Sequence, residues 1–346
     1  MPDPQKQWRP LELVKVTAQY LAQKKIEGAR LDAEVLLAEV LHCSRLGVYA
    51  QPDTVLTPAQ VDAYREFVRR RTNHEPVSRI LGKKEFMGME FTVTPAVLSP
   101  RPETEILVEQ ALKILDPSPK KKKSDVVFAA LESKMREFVV QQTAADRGAL
   151  LPAELLPLLD ASPVAPAEAA PVDSATPAAL RVLDLGTGSG CIAVSLAKSC
   201  PRARVFAVDS SSEALATARA NAEKLGAAVE FFPGDWFAAL PAGERFDVIV
   251  SNPPYIVDGD PELEPEVRDY DPAGALFGGA DGLDAYRKIT ARAGEFLAPG
   301  GCILFEVGQG QAPAVQAMLL KQFPDASVEC AADYAGIERV VCARLS

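Results

Sequence analysis

From Arg181 onward, short apolar runs alternate with helix-patterned stretches, and this rhythm constrains the fold more than any other feature of the chain. Residues 181–185, 204–208, 229–232, 246–251 and 302–307 are strand-like. Residues 191–198, 213–225 and 283–297 carry helical spacing. Such alternation builds an α/β fold, a mostly parallel, doubly wound, Rossmann-like sheet with helices on both faces. Ligands in such a sheet bind beyond the carboxyl ends of the strands, so the chemistry belongs in the loops that follow strands.

The first 82 residues read differently. Ala33, Leu36, Leu37, Val40 and Leu41 recur at helical spacing, with Asp32 placed to cap the start. Thr57-Pro58-Ala59-Gln60 has the form of a capping box with proline at the first helical position, and Val61, Tyr64 and Val68 share one face behind it. Arg69, Arg70 and Arg71 fall in the last turn, where positive charge suits the helix dipole. A small N-terminal helical bundle over 1–82 is expected. In 83–100 the period changes to two: Met89, Phe91 and Val93 alternate with Glu90, Thr92 and Thr94, and Gly88 can turn a connecting hairpin. Pro100-Arg101-Pro102 breaks regular structure before helical spacing resumes over 103–115. A catalytic domain is expected over 101–346, interrupted at 118–178. That stretch holds four successive lysines at 120–123, a helix-patterned run over 125–145, and an Ala/Pro-rich half with almost no large apolar residue. It reads as a flexible insert that supports no core.

Composition narrows the function. A net charge of −10 argues against a broad basic face for duplex phosphates, so no stable nucleic-acid binding is expected. Two histidines and no Cys-x-x-Cys pair argue against a metal site. The six cysteines are scattered, which fits a reducing, cytoplasmic setting. The opening MPDPQKQWRP lacks an apolar signal core, and no run approaches the roughly 18 apolar residues of a membrane span.

Four post-strand loops carry chemistry. Asp184-Leu185-Gly186-Thr187-Gly188-Ser189-Gly190 is glycine-rich and opens a helix, so its backbone can approach a nucleotide-like cofactor closely. It lacks the Gly-Lys-Ser/Thr of a phosphate loop. Asp209 ends the next strand, where a carboxylate can accept from two ribose hydroxyls; a helix cap is the plain alternative. Asp235-Trp236-Phe237 follows the third strand. Asp235 can meet an adenine amino group and Trp236 can pack on its ring, unless Trp236 is ordinary core. Most specific is Asn252-Pro253-Pro254-Tyr255 after the buried run 246–251. Two prolines fix an extended path that aims the Asn252 side chain and the Pro253 carbonyl into a cleft. Together they offer two acceptors to an NH2 group, and Tyr255 offers an aromatic face.

This combination resembles the class I S-adenosylmethionine-dependent methyltransferases that modify planar amino groups. More closely, the chain resembles the PrmC/HemK family, the peptide chain release factor N5-glutamine methyltransferases. The resemblance rests on residues 76–82, Glu85-Phe86, Pro100-Arg101-Pro102-Glu103-Thr104-Glu105, the glycine loop, Asp235-Trp236-Phe237, Asn252-Pro253-Pro254-Tyr255, residues 275–283 with Tyr286-Arg287, Phe305-Glu306-Val307-Gly308 and residues 336–340. It covers nearly the whole chain except 118–178, where the chain departs from the family pattern. It implies methyl transfer from S-adenosyl-L-methionine to the glutamine of the Gly-Gly-Gln loop of class I release factors, with the N-terminal helices holding the protein substrate. Gly186, Thr187, Gly188, Ser189, Gly190, Asp209, Trp236 and Asn252 would bind the cofactor. Asn252, Pro253, Pro254 and Tyr255 would bind the substrate amide, with Asn252, Pro253 and Tyr255 catalytic. The alternative is a DNA or RNA adenine N6-methyltransferase using the same Asn-Pro-Pro-Tyr, which would need a base-flipping, phosphate-binding surface.

Overall fold

A computed structural model describes residues 7–50, 52–117, 180–241 and 243–346. The lysine run, the helix-patterned run over 125–145 and the Ala/Pro-rich half of 118–178 lie outside the described residues. Helices α1 (Pro10–Gln23), α2 (Ala29–Val40), α3 (Gly47–Ala50), α4 (Pro58–Thr72) and α5 (Val77–Leu81) come first. The capping box on α4 is present: Gln60 N donates to Thr57 Oγ1 at 3.3 Å and Thr57 N to Gln60 Oε1 at 2.9 Å. Leu13, Leu21, Leu36, Leu37, Tyr64 and Val68 are fully buried between these helices, each large aliphatic side chain contributing about 1.5–3 kcal/mol. Tyr64 satisfies its hydroxyl by donating to the Ala33 carbonyl at 3.0 Å.

One detail corrects the sequence reading and another completes it. Asp32 does not cap α2. The helix begins a turn earlier, after Gly28 in the left-handed region, and Asp32 lies inside it, accepting from Arg71 Nε at 2.6 Å. Arg71 does lie in the last turn of α4, but its charge is paired inside the fold rather than left to the helix dipole alone. It is 4% exposed and donates a second bond, also 2.6 Å, to Glu266. A guanidinium carries donors enough for both carboxylates at once.

Strands β1 (Lys83–Phe86) and β2 (Met89–Thr92) form an antiparallel hairpin turning at Met87 and Gly88, both at positive φ. After α6 (Thr104–Leu115) the chain continues as β3 (Arg181–Leu185), α7 (Cys191–Ser199), β4 (Arg204–Asp209), α8 (Ser212–Leu225), β5 (Val229–Pro233), a 3-10 turn (Trp236–Ala239) and β6 (Phe246–Ser251). Then come α9 (Pro265–Arg268), α10 (Ala273–Leu276), α11 (Asp284–Phe296), β7 (Leu297–Glu306), α12 (Ala312–Gln322), β8 (Ser327–Ala332) and β9 (Glu338–Arg344). The sheet order is β5-β4-β3-β6-β7-β9-β8. Its first five strands are parallel, and β9 inserts antiparallel between β7 and β8. One core joins α6, α7 and α8 to one face, and the other joins α11 and α12 to the opposite face. Strands buried on both faces explain why apolar residues dominate 181–185 and 246–251 without alternating. The order reverses between β3 and β6, so the chain diverges there and opens a crevice at the strand ends. Among the described residues no helix is long and apolar enough to cross a membrane.

Candidate active site

Two cavities open at the carboxyl ends of the strands. The first, about 350 Å³, is lined by Gly186, Gly188, Asp209, Asp235, Trp236 and Asn252 among others. The second, about 290 Å³, is lined by Arg101, Glu103, Asn252, Tyr255, Glu306 and Arg339 among others. Asn252 stands in the wall of both.

Local sequence explains the first cavity. Gly186 N and Thr187 N donate to the Val208 carbonyl at 2.9 and 3.0 Å, so the loop folds back over β4. Gly186, at φ +74°, faces the Trp236 ring, and a Cβ there would lie 3.4 Å from it. Gly188, at φ +54°, has open space where a Cβ would stand and donates its N–H to Asp209 Oδ2 at 2.8 Å. Asp209 Oδ1 accepts from Ser211 N at 2.9 Å, yet Asp209 does not cap α8; Ser211 does, accepting from Ala214 N. Both Asp209 oxygens keep lone pairs for a ligand. Thr187 and Ser189 also line the cavity, whereas Gly190 serves packing: its Cβ would lie 3.1 Å from that of Ala218 on α8. Asp184 is fully buried, accepts from Thr187 Oγ1 at 2.7 Å, and is pushed up to about 7 by burial. Asn221 of α8 ties the region together, bonding Thr92 N at 2.8 Å, Thr92 O at 3.0 Å and Ser189 O at 2.9 Å.

The loop after β6 is held by backbone that tolerates no side chain. Ile256 N donates to Leu276 O at 2.9 Å and Gly278 N to Ile256 O at 2.8 Å. A Cβ on Gly278 would lie 2.6 Å from the Pro254 carbonyl, and one on Gly282 would strike the Tyr255 carbonyl. Gln311 Nε2 donates to that same Tyr255 carbonyl at 2.9 Å. Asn252 Nδ2 donates to Thr104 Oγ1 at 3.2 Å, which leaves Asn252 Oδ1 as an acceptor. Pro253 is buried, Pro254 lines the first cavity and Tyr255 the second. Burial raises the Tyr255 phenol above its ordinary range, so it stays neutral. Behind this loop, Asp271 is 1% exposed between Arg79 at 2.6 Å and Arg101 at 2.8 Å.

Gly186, Thr187, Gly188, Ser189, Asp209, Trp236 and Asn252 come together around the first cavity, because each lies in a loop that follows its strand. It assigned no individual role to Thr104, Glu306, Arg339, Asp271 or Gln311. Thr104, Glu306 and Arg339 carry only membership in short motifs such as Pro100-Arg101-Pro102-Glu103-Thr104 and Phe305-Glu306-Val307-Gly308, and Asp271 and Gln311 fall in none of them.

A parallel, doubly wound sheet ending in a glycine-loop cavity, with Asn-Pro-Pro-Tyr at the crossing strand, defines a class I, Rossmann-like methyltransferase. Residues 12–82 match the PrmC N-terminal domain and residues 172–265 the methyltransferase small domain. The chain is 40% identical over 340 residues to the release factor glutamine methyltransferase of Geobacter sulfurreducens, spanning 98% of this chain and 97% of that one. It is 40% identical over 311 residues to that of Bordetella pertussis, covering 90% and 93%. It is 34% identical over 345 residues to that of Chlorobaculum tepidum, covering 98% of each. The chain belongs to the release factor glutamine methyltransferase family.

Proposed function

We propose that this chain methylates the side-chain amide nitrogen of the glutamine in the Gly-Gly-Gln loop of class I peptide chain release factors, using S-adenosyl-L-methionine, in the cytoplasm. The observation that carries this reading is Asn252, whose side-chain acceptor stands in the wall of two adjoining cavities. A donor group in one and a planar amide in the other would meet beside it. The first cavity fits the donor. Gly188 leaves room for close backbone approach, and Asp209 offers a carboxylate to paired hydroxyls. Trp236 presents an aromatic wall and Asp235 an acceptor at the far side. When bound there, S-adenosylmethionine supplies an electrophilic methyl group on a sulfonium.

The rest is the work of this chain. An amide nitrogen is a weak nucleophile because its lone pair is delocalised into the carbonyl. Asn252 Oδ1 and the Pro253 carbonyl accept its two N–H bonds. Those contacts turn the lone pair toward the first cavity and favour positive charge growing on nitrogen. Tyr255 packs on the amide plane. Pro253 and Pro254 hold both acceptors without reorganisation. The extra proton leaves after transfer, so no strong general base is required.

The test is methyl transfer from labelled S-adenosylmethionine to a purified release factor, its Gly-Gly-Gln variant with Gln replaced by Ala, and duplex DNA. Label is expected on the intact factor alone. Label on DNA but not on the factor would overturn the assignment.

A further inference from the structure

Asn252 works only in one orientation. Its amide has an oxygen that accepts and a nitrogen that donates, nearly identical in shape. With the oxygen facing the substrate NH2 the contact is attractive; reversed, two donors confront each other. Something must set which way the amide points. The prolines fix the backbone, but rotation of the amide group itself is free of them.

The structure supplies a second contact. Thr104, at the start of α6, is 2% exposed and accepts from Asn252 Nδ2 at 3.2 Å. Its hydroxyl also neighbours the carboxyl group of Glu306, which ends β7 and is likewise 2% exposed. Ser251 pairs with Phe305 in the sheet, so Asn252 and Glu306 leave adjoining strands at the same level. The second Glu306 oxygen, Oε2, is buried without a hydrogen-bond partner among the described residues, and Glu306 lines the second cavity.

We propose, building on the release-factor reading above, that Glu306 and Thr104 are positioning residues that set the polarity of the Asn252 amide. A threonine hydroxyl has one proton. An ionised Glu306 can only accept, so Thr104 must spend that proton on it. The Thr104 oxygen can then only accept from Asn252, which turns the amide NH2 inward and Oδ1 toward the substrate. A protonated Glu306 can donate to Thr104 instead. That frees the threonine proton for Asn252 and permits the reversed, unproductive amide.

The sign of the pH dependence follows. Burial pushes the Glu306 carboxyl up to about 7. Glu103 adds to the rise, while Thr104, Arg339 and Arg101 oppose it. Tyr255, Tyr286 and Cys191 also face this carboxyl and stay neutral at that pH, each raised by its own burial. Glu306 is therefore protonated below about 7 and ionised above it. Turnover should rise with pH through a midpoint at or below about 7, lower if the bound sulfonium stabilises the carboxylate.

The test is single-turnover methylation of a release factor from pH 5.5 to 9, with cofactor affinity measured by calorimetry on each protein. Glu306→Gln keeps an acceptor but cannot titrate, so its profile should lose the acidic limb. Thr104→Val should be about tenfold slower, the scale of one lost neutral hydrogen bond, with cofactor affinity unchanged, and Thr104→Ser should restore the rate. On an Asn252→Ala background Thr104→Val should cost less than about twofold, because its effect passes through Asn252. An acidic limb that persists in Glu306→Gln would overturn the inference. So would a Thr104→Val penalty that adds in full to Asn252→Ala, the mark of a merely structural role. Labelling of the factor by the parent protein judges the substrate reading separately.

Discussion

Gly186, Gly188, Asp209 and Trp236, in the wall of the first cavity, come from the ends of successive strands, β3, β4 and then β5. Its neighbour draws Arg101 and Glu103 from before α6, Tyr255 from after β6, Glu306 from β7 and Arg339 from β9. Those four residues of the first cavity follow a local rule applied repeatedly; the second is walled by elements distant in sequence. The polar contacts that brace the strand-end loops are likewise long-range: Asn252 to Thr104 spans 148 positions, and Arg79 to Asp271 spans 192. If the first cavity holds the methyl donor, as proposed above, a ligand common to many enzymes is met by a repeated local device. A particular substrate needs a wall assembled from pieces free to vary independently.

Substitutions in each wall should sharpen this contrast. The largest effect is expected from Asp271→Ala. It strands the Arg79 guanidinium, 5% exposed, without its carboxylate, and breaking a buried pair costs about 3–5 kcal/mol. Denaturant unfolding should show that loss. Methylation should fail before cofactor binding does, because Asp271 anchors the segment carrying Glu264, Val267 and Ala275 to the second cavity. A change under about 1 kcal/mol would mean the pair is solvent-screened after all.

Next is Asn252→Ala, expected to lower turnover by about 10²–10³ with little change in cofactor affinity. Asn252→Asp keeps an acceptor oxygen and should fall between it and the parent. Single-turnover rates decide; an Asn252→Ala protein as fast as its parent would reduce Asn252 to a turn residue. Asp209→Ala should act on the other wall alone. Hydrogen bonds to a charged group contribute about 1.5–3 kcal/mol, so calorimetry should show cofactor binding weakened by roughly ten- to a hundredfold. Unchanged affinity in the folded variant would remove Asp209 from the donor site.

The smallest effect is expected from replacing 118–178 with a short Gly/Ser linker. The flanking elements have partners of their own: Arg202 donates to the Leu115 carbonyl, Arg204 N to Leu180 O, and Arg181 N to Asp247 Oδ2. Cofactor affinity and turnover should stay within about twofold. Loss of cofactor binding would make the segment part of the catalytic domain.

What could be read in advance follows the same division. The alternation from Arg181 onward announced the sheet, and Asn252-Pro253-Pro254-Tyr255 announced the stiff loop after β6, because both are patterns within a few residues. The order β7-β9-β8 was not legible: Ser327–Ala332 and Glu338–Arg344 are short and half-polar, and only pairing with β7 makes them strands. The pairing of Arg71 was hidden in the sequence because its partners, Asp32 and Glu266, lie 39 and 195 positions away. The glycines at 278 and 282 were visible as letters. Their reason, the carbonyls of Pro254 and Tyr255 pressed against them, exists only after folding.

The ion pairs from Arg71 to Glu266 and from Arg79 to Asp271, with the Tyr270 hydroxyl on the Asn73 carbonyl at 2.9 Å, join the N-terminal helices to the segment that walls the second cavity. Helices and cleft are therefore the two jaws of a caliper with its screw tightened. If a protein substrate rests on the helices, the glutamine it offers must protrude by a set length. A free peptide carrying the same three residues touches one jaw only, and must find the cleft without the effective concentration that the other would provide.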